Sequence, residues 1–262
     1  MKISVIGAGA MGGAMVWGFL KGDVFAASDI TVSNPSRGAL DKFSDTGVNV
    51  ITDNKHAAAS ADIVCVVVKP WISETVLKEI KPVLDYSRQM LVVVAAGLRS
   101  EQIKEWMIKE NGEMLPLFLV IPNTAVAERS SMTFIVPVGA NDKQTDVIKS
   151  VFDDTGCSLV IEERLLSAGT TLASCGIAYA MRYVRAASEG GVELGFRADD
   201  AKRIVLQTVK GAVDLLIANG NHPETEIDKV TTPGGLTIRG LNEMEHAGFT
   251  SAVIRGLKAG VK

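Results

Sequence analysis

Histidine and cysteine are scarce, three of each in 262 residues. The histidines stand apart, no His-Glu-x-x-His occurs, and the cysteines do not cluster, so no metal is expected. Cys65, Cys157 and Cys175 are odd in number, widely spaced and without a Cys-x-x-Cys. They read as buried thiols of a reducing compartment, the cytoplasm. No stretch reaches about 18 unbroken apolar residues, so no membrane span is expected. The net charge is −3 with no long basic block, which argues against nucleic acid as a partner. The first apolar run is interrupted by Gly7, Gly9, Gly12 and Gly13 and lacks a cleavage site, unlike a secretory leader. Internal repeats and low-complexity linkers are absent too. What is there is globular: 47% hydrophobic and 22% charged, enough for one large domain or two smaller ones.

The first half alternates short apolar runs with helical patterns. Residues 2–6 read as a strand that enters Gly7-Ala8-Gly9-Ala10-Met11-Gly12, and Met11, Met15, Phe19 and Leu20 then carry a helical stripe ended by Gly22. Strand, GxGxxG, helix is the context in which this motif marks a dinucleotide site. The first glycine makes the turn, the second admits a pyrophosphate, and the third lets helix pack on strand. Gly7, Gly9, Ala10, Met11 and Gly12 are therefore candidate cofactor contacts. A second strand at 30–33 ends in Ser33, where an NAD enzyme is expected to carry Asp or Glu. No carboxylate stands there to repel a 2′-phosphate, and Arg37 can bind one. Ser33, Asn34 and Arg37 thus favour NADPH, with NADH as the second choice.

Further strands are expected at 48–51, 63–68, 90–95, 115–121, 132–137 and 157–161. Helices are expected at 54–61, 71–80, 101–109 (capped by Ser100) and 142–153. Ligands of open α/β sheets sit at the carboxyl ends of strands. That makes Val68, Lys69 and Pro70, then Ala95, Ala96 and Gly97, then Asn123, candidate cofactor contacts, with Asn54 at the start of the Ala-rich helix. The alternation implies a doubly wound parallel sheet over residues 1–161.

From residue 162 the strand pattern stops. Helices are expected at 164–172, 177–194 and 198–218, apolar on more than one side, which implies a dimer built on this half. Near the end stands Val230-Thr-Thr-Pro-Gly-Gly-Leu-Thr237, running into a helix at 238–247 with an apolar stripe. Pro233 fixes one φ, while Gly234 and Gly235 free the next two residues. A bare turn opening a helix, beside the hydroxyls of Thr231, Thr232 and Thr237, is an anion site sized for a carboxylate or phosphate.

These motifs together resemble the pyrroline-5-carboxylate reductases over nearly the whole chain. The resemblance rests on the GxGxxG, Val-Lys-Pro at 68–70, Ala-Ala-Gly at 95–97 and Pro-Asn-Thr at 122–124. Most specific are Thr232–Thr237 and the Gly-Leu-Asn-Glu-Met-Glu…Gly-Phe of 240–249. It implies an α/β protein: an N-terminal Rossmann-type NADP-binding domain, 1–161, followed by an all-α substrate-binding and dimerisation domain, 162–262. It implies reduction of 1-pyrroline-5-carboxylate to L-proline, the last step of proline biosynthesis, by interlaced dimers, with a decamer of dimers as the larger assembly. By resemblance, backbone N–H groups of Gly234, Gly235 and Leu236 hold the substrate carboxylate. Thr237 is the catalytic hydroxyl at the ring nitrogen, and Glu163, Asp228 and Thr232 complete the substrate set. The chain departs from the family pattern at Ala173–Ala178, which reads Ala-Ser-Cys-Gly-Ile-Ala for the usual Ser-Gly-Ser-Gly-Pro-Ala, at Ile121 for Met, and at Thr232 for Ser or Cys.

Two other readings remain open at this level. One is another NADP-dependent imine or β-hydroxyacid-type reductase, which would use a helical-domain lysine such as Lys202 or Lys210. The other is a non-catalytic NADP-binding dimer, for which the intact 231–237 turn would have no use.

Overall fold

The computed structural model describes residues 1–261, and in it the apolar runs of the first half join one sheet of eight strands. These are β1 (Ile3–Ile6), β2 (Ile30–Ser33), β3 (Asn49–Ile51), β4 (Ile63–Val66), β5 (Met90–Val93), β6 (Leu117–Ile121), β7 (Ser131–Val138) and β8 (Gly156–Val160). Their order is β3-β2-β1-β4-β5-β6-β7-β8. The chain leaves β1 toward β2 on one side and returns to β4 on the other, which opens a crevice at the strand ends. β1, β4, β5 and β6 are buried along their whole length, as strands covered on both faces must be.

Alternate side chains feed two cores. Ile3 and Val5 pack with Met15 and Phe19 of α1 (Ala10–Lys21) and with Phe152. Ile6, Val64 and Val66 pack on the opposite face. There they meet Ala57 and Ala58 of α2 (Asn54–Ala59), Leu77 and Ile80 of α3 (Pro70–Ile80), and Ile103 and Met107 of α4 (Ser100–Met107). Phe152 belongs to α5 (Asp142–Asp153), whose start is fixed by Asn141 and Gln144 capping each other's backbone.

Several expectations are corrected. The sheet is not wholly parallel: β7 runs antiparallel to β6, and β8 is parallel to β7. Only residues 122–130 join β6 to β7, with one 3₁₀ turn among them, too short for the crossover a parallel pair needs. Ser100 does not cap α4. It is the first helical residue, and its N–H and hydroxyl donate to Glu163 at 2.8 and 2.5 Å. The cysteines are not all buried. Cys65 lies in β4, where burial pushes its thiol pKa up, whereas Cys157 is exposed on the edge strand β8. The helix expected at 164–172 is divided into a 3₁₀ turn at Glu163–Leu165, α6 (Leu166–Gly169) and a π-helix at Thr170–Cys175.

Met1–Cys175 form one compact unit and the chain from Gly176 onward a second. The second unit contains α7 (Gly176–Glu193), α8 (Ala198–Asn219), α9 (Pro223–Lys229), α10 (Leu236–His246) and α11 (Phe249–Ala259). α7 and α8 form a hairpin turned at Gly195, φ 101°, and approach so closely that a Cβ on Gly191 would lie 2.9 Å from that of Ala201. α9 and α11 were not foreseen. α9 has seven residues, too few to show a period, and starts from Pro223 with the His222 ring accepting from Glu224 N–H. Within this unit Ala201 is the one apolar side chain that is fully buried among the described residues. Met181, Leu215 and Ile217 are 64%, 55% and 77% exposed, apolar surface of the kind that marks a protein interface. Among the described residues no helix is long and apolar enough to cross a membrane.

Phe152 is fully buried and meets the Phe19 ring edge-on at 6.2 Å. Phe152→Ala should cost about 3–5 kcal/mol of stability, read from the urea midpoint at fixed protein concentration.

Candidate active site

The glycine loop divides its work among three positions. Gly7 has φ 109°, and a Cβ there would meet the Val67 carbonyl oxygen at 2.2 Å. At Gly12 a Cβ would stand 1.8 Å from the carbonyl oxygen of Gly7. Both glycines are thus required by packing. Gly9 differs: nothing lies within 4 Å of its Cβ position, so bare backbone faces open space. Gly9 is also the N-cap of α1 and supplies no side-chain cap, which leaves first-turn N–H groups for an anion. This is the shape a pyrophosphate needs. Asn34 braces the loop, its Oδ1 accepting from Ala8 N–H at 3.2 Å. Lys42 does so from the other side, its Nζ donating to the Ala8 carbonyl at 3.2 Å.

A cavity of about 490 Å³ opens over this loop. All five predicted loop residues line it, Gly7, Gly9, Ala10, Met11 and Gly12, together with Asn34. So do Val68, Lys69 and Pro70 after β4, and Ala95 and Ala96 after β5. The other predicted contacts lie elsewhere. Ser33 is buried and donates to Asn54 Oδ1 at 2.8 Å, and Asn54 donates in turn to Glu79 at 3.0 Å. Gly97 continues the chain past Ala96 with φ 86°. Asn123 is buried, its Oδ1 accepting from Ala125 N–H, while its neighbours Pro122 and Thr124 reach the cavity. Arg37 lines a separate cavity of about 500 Å³ with Asp41, Asp53 and His56.

Val67, Ile72 and Val94 also line the site and were not singled out from sequence, and Ile121 was noted only as a departure from the family pattern. Val67 and Val94 directly precede strand-end residues that were, so the strand-end rule applied one residue more widely would have found those two, whereas Ile72 lies in the first turn of α3. Thr170 and Ser174 line it too, from the π-helix, and their spacing gave no signal for that.

In the helical unit, the expected turn is present. Gly235 N–H donates to the Thr232 carbonyl at 2.9 Å, and Gly234 between them has φ 70°. Pro at the second position and a left-handed glycine at the third make a type II turn. A Cβ on Gly235 would lie 2.5 Å from Thr232 Oγ1 and 3.0 Å from its carbonyl oxygen, so the second glycine is required by the close approach of Thr232. Gly235 is the N-cap of α10 with no side-chain cap; Leu236 and Thr237, both exposed, form its first turn. Asp228 is exposed, and its backbone carbonyl accepts from the N–H and the hydroxyl of Thr231. Just upstream, Glu226 accepts from Asn219, Asn221 and Lys229, which ties α9 to the end of α8. Those donors hold its carboxyl below the usual glutamate range. Glu163 lies in the first unit, where both of its oxygens are engaged by Ser100.

Comparison with known proteins gives separate matches for the two ends of the chain. Residues 163–262 match the family model described as pyrroline-5-carboxylate reductase dimerisation, and residues 2–97 match one described as NADP oxidoreductase, coenzyme F420-dependent. The chain is 37% identical, over 97% of its length, to pyrroline-5-carboxylate reductase 1 of Dictyostelium discoideum, of which it spans 48%. It is 31% identical over its whole length to pyrroline-5-carboxylate reductase 2 of Bacillus subtilis and spans 93% of that protein. The Plasmodium falciparum pyrroline carboxylate reductase, solved with NADP bound, is similar with a TM-score of 0.89 and 25% identity, over 100% of this chain and 95% of that one. The β-hydroxyacid-type and non-catalytic readings are not favoured; Lys210 is held by Asp214 at 2.5 Å, and Lys202 is exposed on α8. Self-association falls on the helical unit, which carries the dimerisation match. With its glycine-loop cavity and its Pro-Gly-Gly helix start, the chain belongs to the pyrroline-5-carboxylate reductase family, whose members are NAD(P)H-dependent oxidoreductases.

Proposed function

We propose that this chain reduces 1-pyrroline-5-carboxylate to L-proline, with NADPH preferred to NADH. The observation that carries the reading is the type II turn at Thr232–Gly235 opening an uncapped helix, α10, with the Thr237 hydroxyl in its first turn. Backbone N–H groups at a helix N-terminus suit a carboxylate. In this reading the N–H groups of Gly234 and Leu236 hold that group, with Gly235, whose own N–H closes the turn onto Thr232, leaving room beside them, and so fix which face of the ring is presented, a proximity effect. NADPH supplies the hydride. Thr237 bonds the ring nitrogen, which makes the imine carbon the better hydride acceptor, and solvent delivers the proton. Asp228 adds negative charge near that nitrogen. The first unit carries the candidate site for the hydride donor and the second the candidate site for the carboxylate.

The residues of the first unit fit the cofactor. The open space at Gly9 suits the pyrophosphate, and β2 ends in Ser33 rather than a carboxylate. Arg37 is the cation that would favour the 2′-phosphate. The assembly we propose is a dimer through α7, α8 and their neighbours, with a decamer of dimers as the larger form, and the location is cytoplasmic.

Gly9→Ala adds a Cβ where the fold leaves room, at an ordinary φ of −64°. NADPH affinity should fall tenfold or more while the melting temperature stays unchanged; equal affinity in a fluorescence titration would count against the pyrophosphate assignment. Thr237→Ala should lower turnover about 10- to 1000-fold with NADPH binding intact, measured by NADPH absorbance with 1-pyrroline-5-carboxylate. Wild-type turnover in that variant would remove Thr237 from the mechanism.

A further inference from the structure

One end of the dinucleotide cavity is nearly without polar groups. Ala95, Ala96, Ile121 and Pro122 line it at the ends of β5 and β6. In the doubly wound order this is the side away from β2 and β3, where the adenosine half lies, and so it is the nicotinamide end. A nicotinamide ring presents an apolar face, but its carboxamide brings one acceptor and one donor, each of which needs a partner once out of water. Thr124 is exposed. The other hydroxyls at this end are Thr170 and Ser174, delivered together by the π-helix Thr170–Cys175.

The two hydroxyls are in different states. Helical Ser and Thr commonly donate back to the carbonyl four residues earlier. Thr170 does so to Leu166 at 2.7 Å, as Ser188 does to Val184 and Thr208 to Ile204. Ser174 has no such bond, nor any other, among the described residues. It sits late in a π-helix, where the backbone pairs five residues apart and the carbonyl spacing of an α-helix is lost. Thr170 thus offers an oxygen as acceptor, its proton being committed, and Ser174 offers a free proton.

We propose that Ser174 is a positioning residue for the nicotinamide, donating to the carboxamide carbonyl while Thr170 accepts from the carboxamide NH₂. Together they set which face of the ring is turned toward the substrate. The inference rests on the reading of this cavity as the NADPH site, and its test separates the two. NADPH and 2′-phospho-ADP-ribose, which lacks the ring, are titrated into the wild-type protein and Ser174→Ala, by protein fluorescence and by calorimetry. Ser174→Ala should weaken NADPH about three- to tenfold and leave 2′-phospho-ADP-ribose unchanged. The 3-acetylpyridine analogue of NADP keeps the carbonyl and loses the NH₂, so Ser174→Ala should weaken it as well, whereas Thr170→Val should not. Equal NADPH affinity in wild type and Ser174→Ala overturns the proposal and leaves the cofactor site standing. Equal weakening of the ringless ligand also overturns it, showing a disturbed helix instead. A wild-type protein that does not bind NADPH overturns both.

Discussion

The contact between Gly12 and the carbonyl of Gly7 governs the cofactor half of the molecule. It lets α1 start directly over β1, so that the helix N-terminus, the end of β4 and the end of β5 converge on one cavity. A single methyl group at position 12 would intrude on that carbonyl, and a side chain at position 7 would intrude on Val67. The glycines are therefore two kinds of residue. Gly7 and Gly12 exist for the fold, and Gly9 exists for whatever lies above it. The same division recurs in the helical unit. Gly234 supplies the left-handed turn, and Gly235 avoids Thr232 while leaving the start of α10 bare. Both candidate anion sites are thus made from backbone, and neither depends on a charged side chain for its shape.

Local chemistry was legible where one residue type has one use. The glycine loop, the strand ends at 68–70 and 95–96, and the turn before α10 follow from steric rules that act within a few residues, and the structure places each as those rules require. The two-unit plan was legible for a related reason, because the apolar strand runs that alternate with helices through the first half stop near residue 161. Two strands read two residues long at their carboxyl ends, 63–68 against Ile63–Val66 and 90–95 against Met90–Val93, since apolar residues continue past the last ladder bond to line the cavity.

What was not legible depends on partners distant in sequence or on backbone register. Ser33 was read as a cofactor contact from its place at the end of β2 and Asn54 from the start of the Ala-rich helix, and that the two bond to each other across 21 residues was not legible. Ser100 was read as a cap, and the acceptor is a glutamate 63 residues away. The antiparallel turn of β7 follows from connection length, which the strand pattern alone does not weigh. The π-helix is the extreme case. Nothing in Thr-Thr-Leu-Ala-Ser-Cys distinguishes a five-residue register from a four-residue one, and that choice decides which hydroxyls face the cavity.

The helical unit differs from the sheet unit in how much apolar surface it buries. Its helices bury little apolar surface in one protomer, with Met181, Leu215 and Ile217 turned outward, while the sheet unit has two complete cores. Hydrophobic burial is the main favourable term in folding, so the sheet unit can hold the glycine loop by itself. The turn before α10 has no such support within the protomer. It is steadied by local bonds, Thr231 to Asp228 and Gly235 to Thr232, and by Glu226 binding α9 to α8. Those bonds are exposed and individually weak. The apolar faces left outward on these helices are the surface that a second protomer would bury. Each unit thus carries one of the two candidate sites built from backbone, and the sheet unit sets two complete cores beneath its own.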